Sequence, residues 1–175
     1  MLEGRIVKRV MQSGNAIGGS ISQDGRIVVA QNYTPGGIKA FDAATLELLS
    51  EVPAEYAPGK LSKVVGLADA PGNKFAYALF EGGEIWVSDF SNPKQPKTQR
   101  FPAGIQPYDG LVTPAGRYFL AGLFGAASVA TADWKTNRSG GWKATIAFRA
   151  SMNPVMPSAM ADMTSTYCPN ASRAD

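Results

Sequence analysis

The sequence predicts an all-β fold built from β-propeller blades, each a sheet of four antiparallel strands. Two observations are local: short runs alternate apolar with polar residues, and Gly- or Pro-containing turns separate these runs. The third is a repeat, because the turn residues Gly25, Gly72 and Gly116 lie 47 and 44 residues apart. Four short strands within such a period are typical of one propeller blade.

Each repeat unit begins with a short strand and a turn that ends in Gly followed by a basic or polar residue. The second strand follows, as "RIVVAQNY", "KFAYALF" and "RYFLAGLF". In the first two units a Gly-Gly turn leads to a third strand that ends at Asp42 or Asp89, and the unit closes with "LELLSEV" or "KTQRF". Because these two aspartates recur at one position, we interpret both as turn residues that accept hydrogen bonds from nearby backbone.

We divide the chain into two parts. Residues 1–125 are expected to form a partial propeller of about two and a half blades. Residues 126–175 lack the blade pattern, apart from "SVATADW", which fits one more strand ending at Asp133. We interpret this irregular C-terminal tail as out-of-frame translation or as a disordered end.

Composition excludes several classes of protein. With 45% hydrophobic and 18% charged residues among 175, the chain is typical of a globular protein. Its net charge of +3 is scattered, which argues against nucleic-acid binding. No apolar run is long enough to span a membrane, and we identify no export signal at the N-terminus.

Cysteine and histidine limit the chemistry further. The single Cys168 excludes an internal disulfide and a cysteine-rich metal site. The chain contains no histidine, which removes the usual general base, zinc ligand and axial haem ligand. We therefore assign no metal ligand.

Three stretches resemble a known family: "SISQDGRIVVAQNYTPGGIKAFDAATLE", "KVVGLADAPGNKFAYALFEGGEIWVSDFSNP" and "IQPYDGLVTPAGRYFLAGLFG". They are similar to the NirF family, periplasmic d1-haem biosynthesis proteins of denitrifying bacteria, and more distantly to the d1-haem propeller of cytochrome cd1 nitrite reductase. The resemblance implies an eight-bladed propeller, a periplasmic location and a non-covalently bound d1-type haem or its precursor. It also implies that the family's N-terminal blade, with a functionally important His, has no counterpart in this chain.

The resemblance implies a set of site residues. Asn32 and Tyr33 match an "NYWPP"-like segment of the nitrite reductases, whose Tyr faces the haem. Asp69 lies in the loop where those enzymes have an active-site His, and Tyr108 precedes Asp109 where they have a second His. Both replacements suit a protein that binds or modifies a tetrapyrrole without reducing nitrite. Asp69 is then the candidate catalytic residue, and the candidate contacts of the cofactor are Tyr33, Asn32, Tyr108, Asp109 and Lys63.

Several of these candidates also have a purely structural interpretation. Asp109 with Gly110 fits an ordinary turn. Asp69 precedes Pro71-Gly72 and fits a turn residue that bonds nearby backbone, as well as a carboxylate that orients or protonates a macrocycle. Tyr33 fits a packing residue at a strand end or a ring against a flat ligand. Lys60 and Lys63 fit solvated lysines or partners of a tetrapyrrole's acidic side chains.

Our leading hypothesis is a tetrapyrrole-binding protein of d1-haem maturation, acting as enzyme or carrier on a late intermediate. Its expected partners are the tetrapyrrole, other d1-haem maturation proteins and the nitrite reductase. The alternative is a β-propeller protein-interaction module without a cofactor. A propeller hydrolase or quinoprotein ranks last, because no convergent set of carboxylates can be placed.

Overall fold

The computed structural model describes residues 4, 6, 8–12, 14–126 and 128–136, together with the backbone of 146–147. Within these residues every regular element is a β-strand, and the expected all-β architecture of antiparallel four-stranded sheets is confirmed. The predicted tail lies mostly outside the described residues.

Three four-stranded sheets follow one another along the chain, each with its strands in sequence order. The first contains β1 (Asn15–Ile21), β2 (Ile27–Thr34), β3 (Gly37–Asp42) and β4 (Leu48–Val52). A short hairpin of β5 (Glu55–Ala57) and β6 (Lys60–Leu61) leads to the second sheet, which contains β7 (Val64–Ala70), β8 (Lys74–Leu79), β9 (Glu84–Asp89) and β10 (Lys97–Pro102). The third contains β11 (Pro107–Val112), β12 (Tyr118–Leu123), β13 (Ser128–Asp133) and β14 (Ile146–Ala147).

The strand expected at "SVATADW" is present as β13. It pairs with β12 over six residues, from Tyr118 opposite Asp133 to Leu123 opposite Ser128. The third sheet therefore continues past Gly125. Sequence periodicity marks this strand weakly because three of its buried side chains are the small residues Ser128, Ala130 and Ala132.

The second sheet is packed on both faces, and β8 shows how a period-2 pattern achieves this. Phe75, Tyr77 and Leu79 point into a core shared with the first sheet. Ala76 and Ala78 alternate with them and point into a core shared with the third sheet, where larger side chains such as Phe119 and Leu123 fill the space. Both faces of this strand are thus buried, as expected for a blade between two neighbours.

The first strands of the sheets lie side by side, with β7 packed against β1 and β11. We define the upper face as the side where these first strands begin, which also carries the turns between second and third strands (residues 35–36, 80–83 and 124–126). The lower face carries the turns between first and second strands. On the lower face the Asn73 amide donates to Asp24 at 3.1 Å, and Gly116 packs against Pro71. The lower ends of neighbouring sheets are therefore level with one another and in contact.

Asp42 and Asp89 occupy equivalent turns, as expected. The Asp42 carboxylate accepts hydrogen bonds from the backbone N–H groups of Ala44 and Thr45 at 2.9 and 2.8 Å. Asp89 accepts one from the Ser91 N–H at 2.8 Å. Both aspartates stabilise turns, which confirms the structural interpretation.

Candidate functional site

A row of aromatic side chains crosses the upper face. We call Tyr33, Phe80, Tyr108 and Phe124 the aromatic row. The ring centroids of Phe80 and Tyr108 are 5.8 Å apart in an edge-to-face arrangement, and those of Tyr108 and Phe124 are 6.0 Å apart. The row therefore combines rings from all three blades, and its edge-to-face pair has a geometry that aromatic rings favour.

Lys63 links Tyr33 to the rest of the row. Its Nζ lies 5.4 Å from the centroid of the Tyr33 ring and 5.4 Å from that of Phe80. Both distances are within the range of a cation–π contact. The row thus has one positive charge between its first two rings.

Glu81, in the turn after β8, forms an ion pair with this ammonium group. The hydrogen bond to Glu81 raises the pKa of Lys63, against a smaller opposing effect of burial. Burial raises the pKa of Glu81, but hydrogen bonds from the Lys63 side chain and backbone outweigh it and hold that pKa below its usual value. Both side chains are therefore charged at neutral pH.

A shallow concavity of about 430 Å³ adjoins the row. It lies between the turn after β8 and the segment that leads into β11, and its lining includes Phe80, Glu81, Gly104 and Ile105. Ile105 in this lining is 64% exposed to solvent, and Phe124 of the aromatic row is 79% exposed. This part of the upper face is apolar and uncovered, which is typical of a binding surface.

The remaining predicted contact residues differ in accessibility. Asn32 precedes Tyr33 on β2 and is 1% exposed, so its side chain lies beneath the surface. Asp109 follows Tyr108 on β11 and is exposed to solvent. Tyr33, Lys63 and Tyr108 are the predicted residues that the structure brings together, while direct ligand contacts of Asn32 and Asp109 stay predictions.

Asp69 lies elsewhere. Lys63 immediately precedes β7 at the upper face, whereas Asp69 is the penultimate residue of β7, about 20 Å further along at the usual strand rise. The Asp69 carboxylate accepts a hydrogen bond from the Ser20 hydroxyl at 3.1 Å. The structure thus gives Asp69 a contact between sheets near the lower face, and its catalytic role stays a prediction. Lys60 is an exposed residue of β6.

Three residues of this surface were not predicted from the sequence: Phe80, Phe124 and Glu81. A signal for two of them was present, because "RIVVAQNY", "KFAYALF" and "RYFLAGLF" each contain an aromatic residue where the second strand ends: Tyr33, Phe80 and Phe124. Glu81 carried no such signal, since its role depends on a lysine 18 residues away.

The described residues contain no group of three or more Cys, Asp or Glu side chains placed to hold a metal ion. Among them there is also no helix long and apolar enough to cross a membrane.

Comparison with known families gives a direct match. The family model of the cytochrome D1 heme domain matches residues 1–152. Protein NirF of Pseudomonas aeruginosa is 54% identical over 142 residues, and Protein NirF of Stutzerimonas stutzeri is 50% identical over the same length. Each alignment covers 79% of this chain and 36% of the relative, so the chain spans about a third of the length of these proteins.

Three further comparisons bear on the fold. Dihydro-heme d1 dehydrogenase of Pseudomonas aeruginosa is 32% identical over 117 residues, covering 66% of this chain and 24% of that protein. The solved structure of dihydro-heme d1 dehydrogenase NirN in complex with DHE superposes with a TM-score of 0.62 at 29% identity, over 77% of this chain and 28% of that one. The β-propeller domain of Cps50 (Swd1) from Myceliophteria thermophila superposes with a TM-score of 0.60 at 16% identity, over 81% of this chain and 42% of that one, which supports the fold alone. The four-stranded sheets are propeller blades, and the chain belongs to the cytochrome D1 heme domain family, among its NirF proteins.

Proposed function

We propose that this chain contributes part of the binding surface for a d1-type haem, or a late precursor of it, in a protein of d1-haem biosynthesis. The family match supports this ligand class, since the matching model describes a heme domain and a related solved structure holds DHE. The location in the periplasm of a denitrifying bacterium, and contacts with other maturation proteins or the nitrite reductase, belong to the same proposal.

The observation that carries the proposal is the position of Lys63 beside the aromatic row. A tetrapyrrole presents a flat apolar macrocycle with acidic groups on its rim. Apolar rings match the macrocycle, and an ammonium group at their edge matches one rim carboxylate. The upper face offers both features within one continuous surface.

The residues present fit the organic part of the cofactor. When bound, the group would supply its tetrapyrrole redox chemistry. The rings of Tyr33, Phe80 and Tyr108 would contact the macrocycle and exclude water from it. This chain has no histidine to hold the iron, so we assign its residues to binding and orientation of the ligand.

Titration of the 175-residue chain with haem d1, followed by the Soret band, tests the proposal. We expect saturable binding that weakens about tenfold in Phe80→Ala, because stacking or packing on one ring is worth about 1 kcal/mol or more. Tyr118→Leu is the matched control, since Tyr118 begins β12 near the lower face. A folded chain that leaves the Soret band unchanged would contradict the proposal and favour a protein-interaction module.

A further inference from the structure

The backbone that carries Lys63 is held from two sides. Ser62 is fully buried, and its Oγ accepts hydrogen bonds from the N–H groups of Glu81 and Gly82 at 2.9 and 3.2 Å. On the other side, the turn after β2 packs so closely that a Cβ at Gly36 would lie 2.1 Å from the Ser62 carbonyl oxygen. Lys63 therefore projects from a segment fixed between the turns of two blades.

Glu81 fixes the side chain of Lys63 in the same way. One carboxylate oxygen, Oε2, accepts hydrogen bonds from the Lys63 backbone N–H at 2.7 Å and from the Ser62 hydroxyl at 3.0 Å. The other, Oε1, accepts from the Lys63 ammonium group. Glu81 is thus anchored by backbone and by a buried hydroxyl while it holds the ammonium beside Tyr33 and Phe80.

The ammonium group retains donor capacity in this position. It has three N–H donors, and within the part of the chain that the structure describes its hydrogen bond goes to Glu81. Its other neighbours are the faces of the Tyr33 and Phe80 rings, which are weaker partners than an anion. An anionic group at the edge of the row is the partner that would use these donors best.

We propose that Glu81 is a positioning residue that holds Lys63 for a rim carboxylate, so that the site selects tetrapyrroles with free acid groups. This inference depends on the proposed function, because it specifies how the same surface distinguishes among its ligands. Lys63 contacts the carboxylate directly, and Glu81 acts through Lys63.

Glu81 has two opposite effects on an anionic ligand, and their sizes decide the outcome. Its negative charge repels an anionic ligand, and the solvent that reaches the 34%-exposed side chains of Lys63 and Glu81 screens part of this repulsion. Ordering an otherwise free lysine side chain weakens binding by more than about tenfold. We expect positioning to outweigh the screened repulsion, so that loss of Glu81 weakens the binding of the free acid.

The test compares iron protoporphyrin IX with its dimethyl ester, which has the same macrocycle without free carboxylates. Both are titrated into the full chain in one buffer containing dimethyl sulfoxide, and the Kd is obtained from the Soret change. We express selectivity as the Kd of the ester divided by that of the acid. We expect the selectivity of the unmodified chain to be about tenfold higher than that of Lys63→Met. Lys60→Met should keep the selectivity of the unmodified chain. Glu81→Gln should have a selectivity at least threefold lower than the unmodified chain.

Each result has a distinct meaning. If haem d1 and both of these compounds fail to bind to the folded chain, the proposed function fails and this inference fails with it. If haem d1 binds and neither compound does, the proposed function stands, and the inference is wrong because free acid groups on a tetrapyrrole do not bring about binding. If both bind with a selectivity that Lys63→Met leaves unchanged, the binding function stands and the carboxylate contact is wrong. If Glu81→Gln raises selectivity or leaves it unchanged while thermal melting shows a folded protein, Glu81 does not position Lys63. If the role of Glu81 were merely structural, Glu81→Gln would weaken the binding of both ligands equally.

Discussion

The Ser20 hydroxyl donates a 3.1 Å hydrogen bond to the Asp69 carboxylate, which joins the first strands of two neighbouring blades near the lower face. Both residues are next to last in their strands, β1 and β7. This contact connects blades at the end of the molecule opposite the aromatic row.

From this contact we expect Asp69→Ala to reduce stability and leave ligand binding unchanged. Loss of one partly buried hydrogen bond should lower the free energy of unfolding by about 1 kcal/mol. Ser20→Ala should cost a similar amount, and the double variant should cost less than the sum, because both changes remove the same bond. Urea denaturation measures the stability and haem titration measures the binding. A folded Asp69→Ala that no longer binds haem would instead support a role for Asp69 at the ligand site.

Gly66 lies at a close approach between the second and third blades. It has a φ of +61°, and an added Cβ would lie 2.5 Å from the Tyr108 carbonyl oxygen. Gly66→Ala should therefore combine backbone strain with a clash and cost about 2–4 kcal/mol. Gly59→Ala is the matched control, because Gly59 has a φ of +71° but open space around it, and its strain alone should cost about 1 kcal/mol. Equal losses of stability in urea would show that the blades separate easily at this point.

Arg117 and Asp133 form an ion pair in the third blade, and Lys74 and Asp89 form one in the second. Both aspartates end the third strand of their blade. The Asp133 side chain is 4% exposed and that of Asp89 is 35% exposed, so loss of the cation leaves a buried charge only in the third blade. We expect Arg117→Met to cost about 2 kcal/mol and Lys74→Met less than about 1 kcal/mol. Thermal melting of the two variants provides the comparison, and equal costs would contradict it.

The same ion pair predicts a pH dependence. Burial raises the pKa of Asp133, but hydrogen bonds from Arg117 outweigh it, so the folded-state pKa lies below the usual value. A carboxylate whose pKa is lowered by folding stabilises the fold at a pH above its pKa in the unfolded chain, about 3.9. This stabilisation is lost as the pH falls below that value. The stability difference between the unmodified chain and Asp133→Asn should therefore shrink below about pH 4. A constant difference from pH 7 to pH 3 would contradict this.

The hydroxyl group of Tyr77 is buried in the second blade, where it donates or accepts a hydrogen bond. Its oxygen lies 2.9 Å from Ser88 Oγ, which lies 2.8 Å from Thr98 Oγ1. Burial raises the pKa of Tyr77, so the folded state resists ionisation and stability should fall as the pH rises above the unfolded value of about 10. Tyr77→Phe should lower stability by about 1 kcal/mol at pH 7 and reduce this alkaline loss. Denaturation at pH 7 and pH 11 tests both effects, and an unchanged alkaline loss would rule out Tyr77 as its source.

Much of the fold was predictable because a blade is a local structure. Period-2 alternation identified strands such as β8, and Asp42 and Asp89 identified equivalent turns. The weak prediction was β13, whose buried Ala130 and Ala132 give little hydrophobic contrast. β13 is buried because it pairs with β12, and the pattern of residues within one strand does not indicate its partner.

The candidate site divides in the same way. Tyr33, Lys63 and Tyr108 could be named from local patterns and family resemblance, and the structure places them on one face. The strands, their turns and the aromatic residues at their ends follow from the sequence alone, because they depend on neighbours a few residues apart. The pairing of Glu81 with Lys63 and the contact of Asp69 with Ser20 in the neighbouring blade emerge only in the folded chain, because they depend on how separate strands and turns pack together.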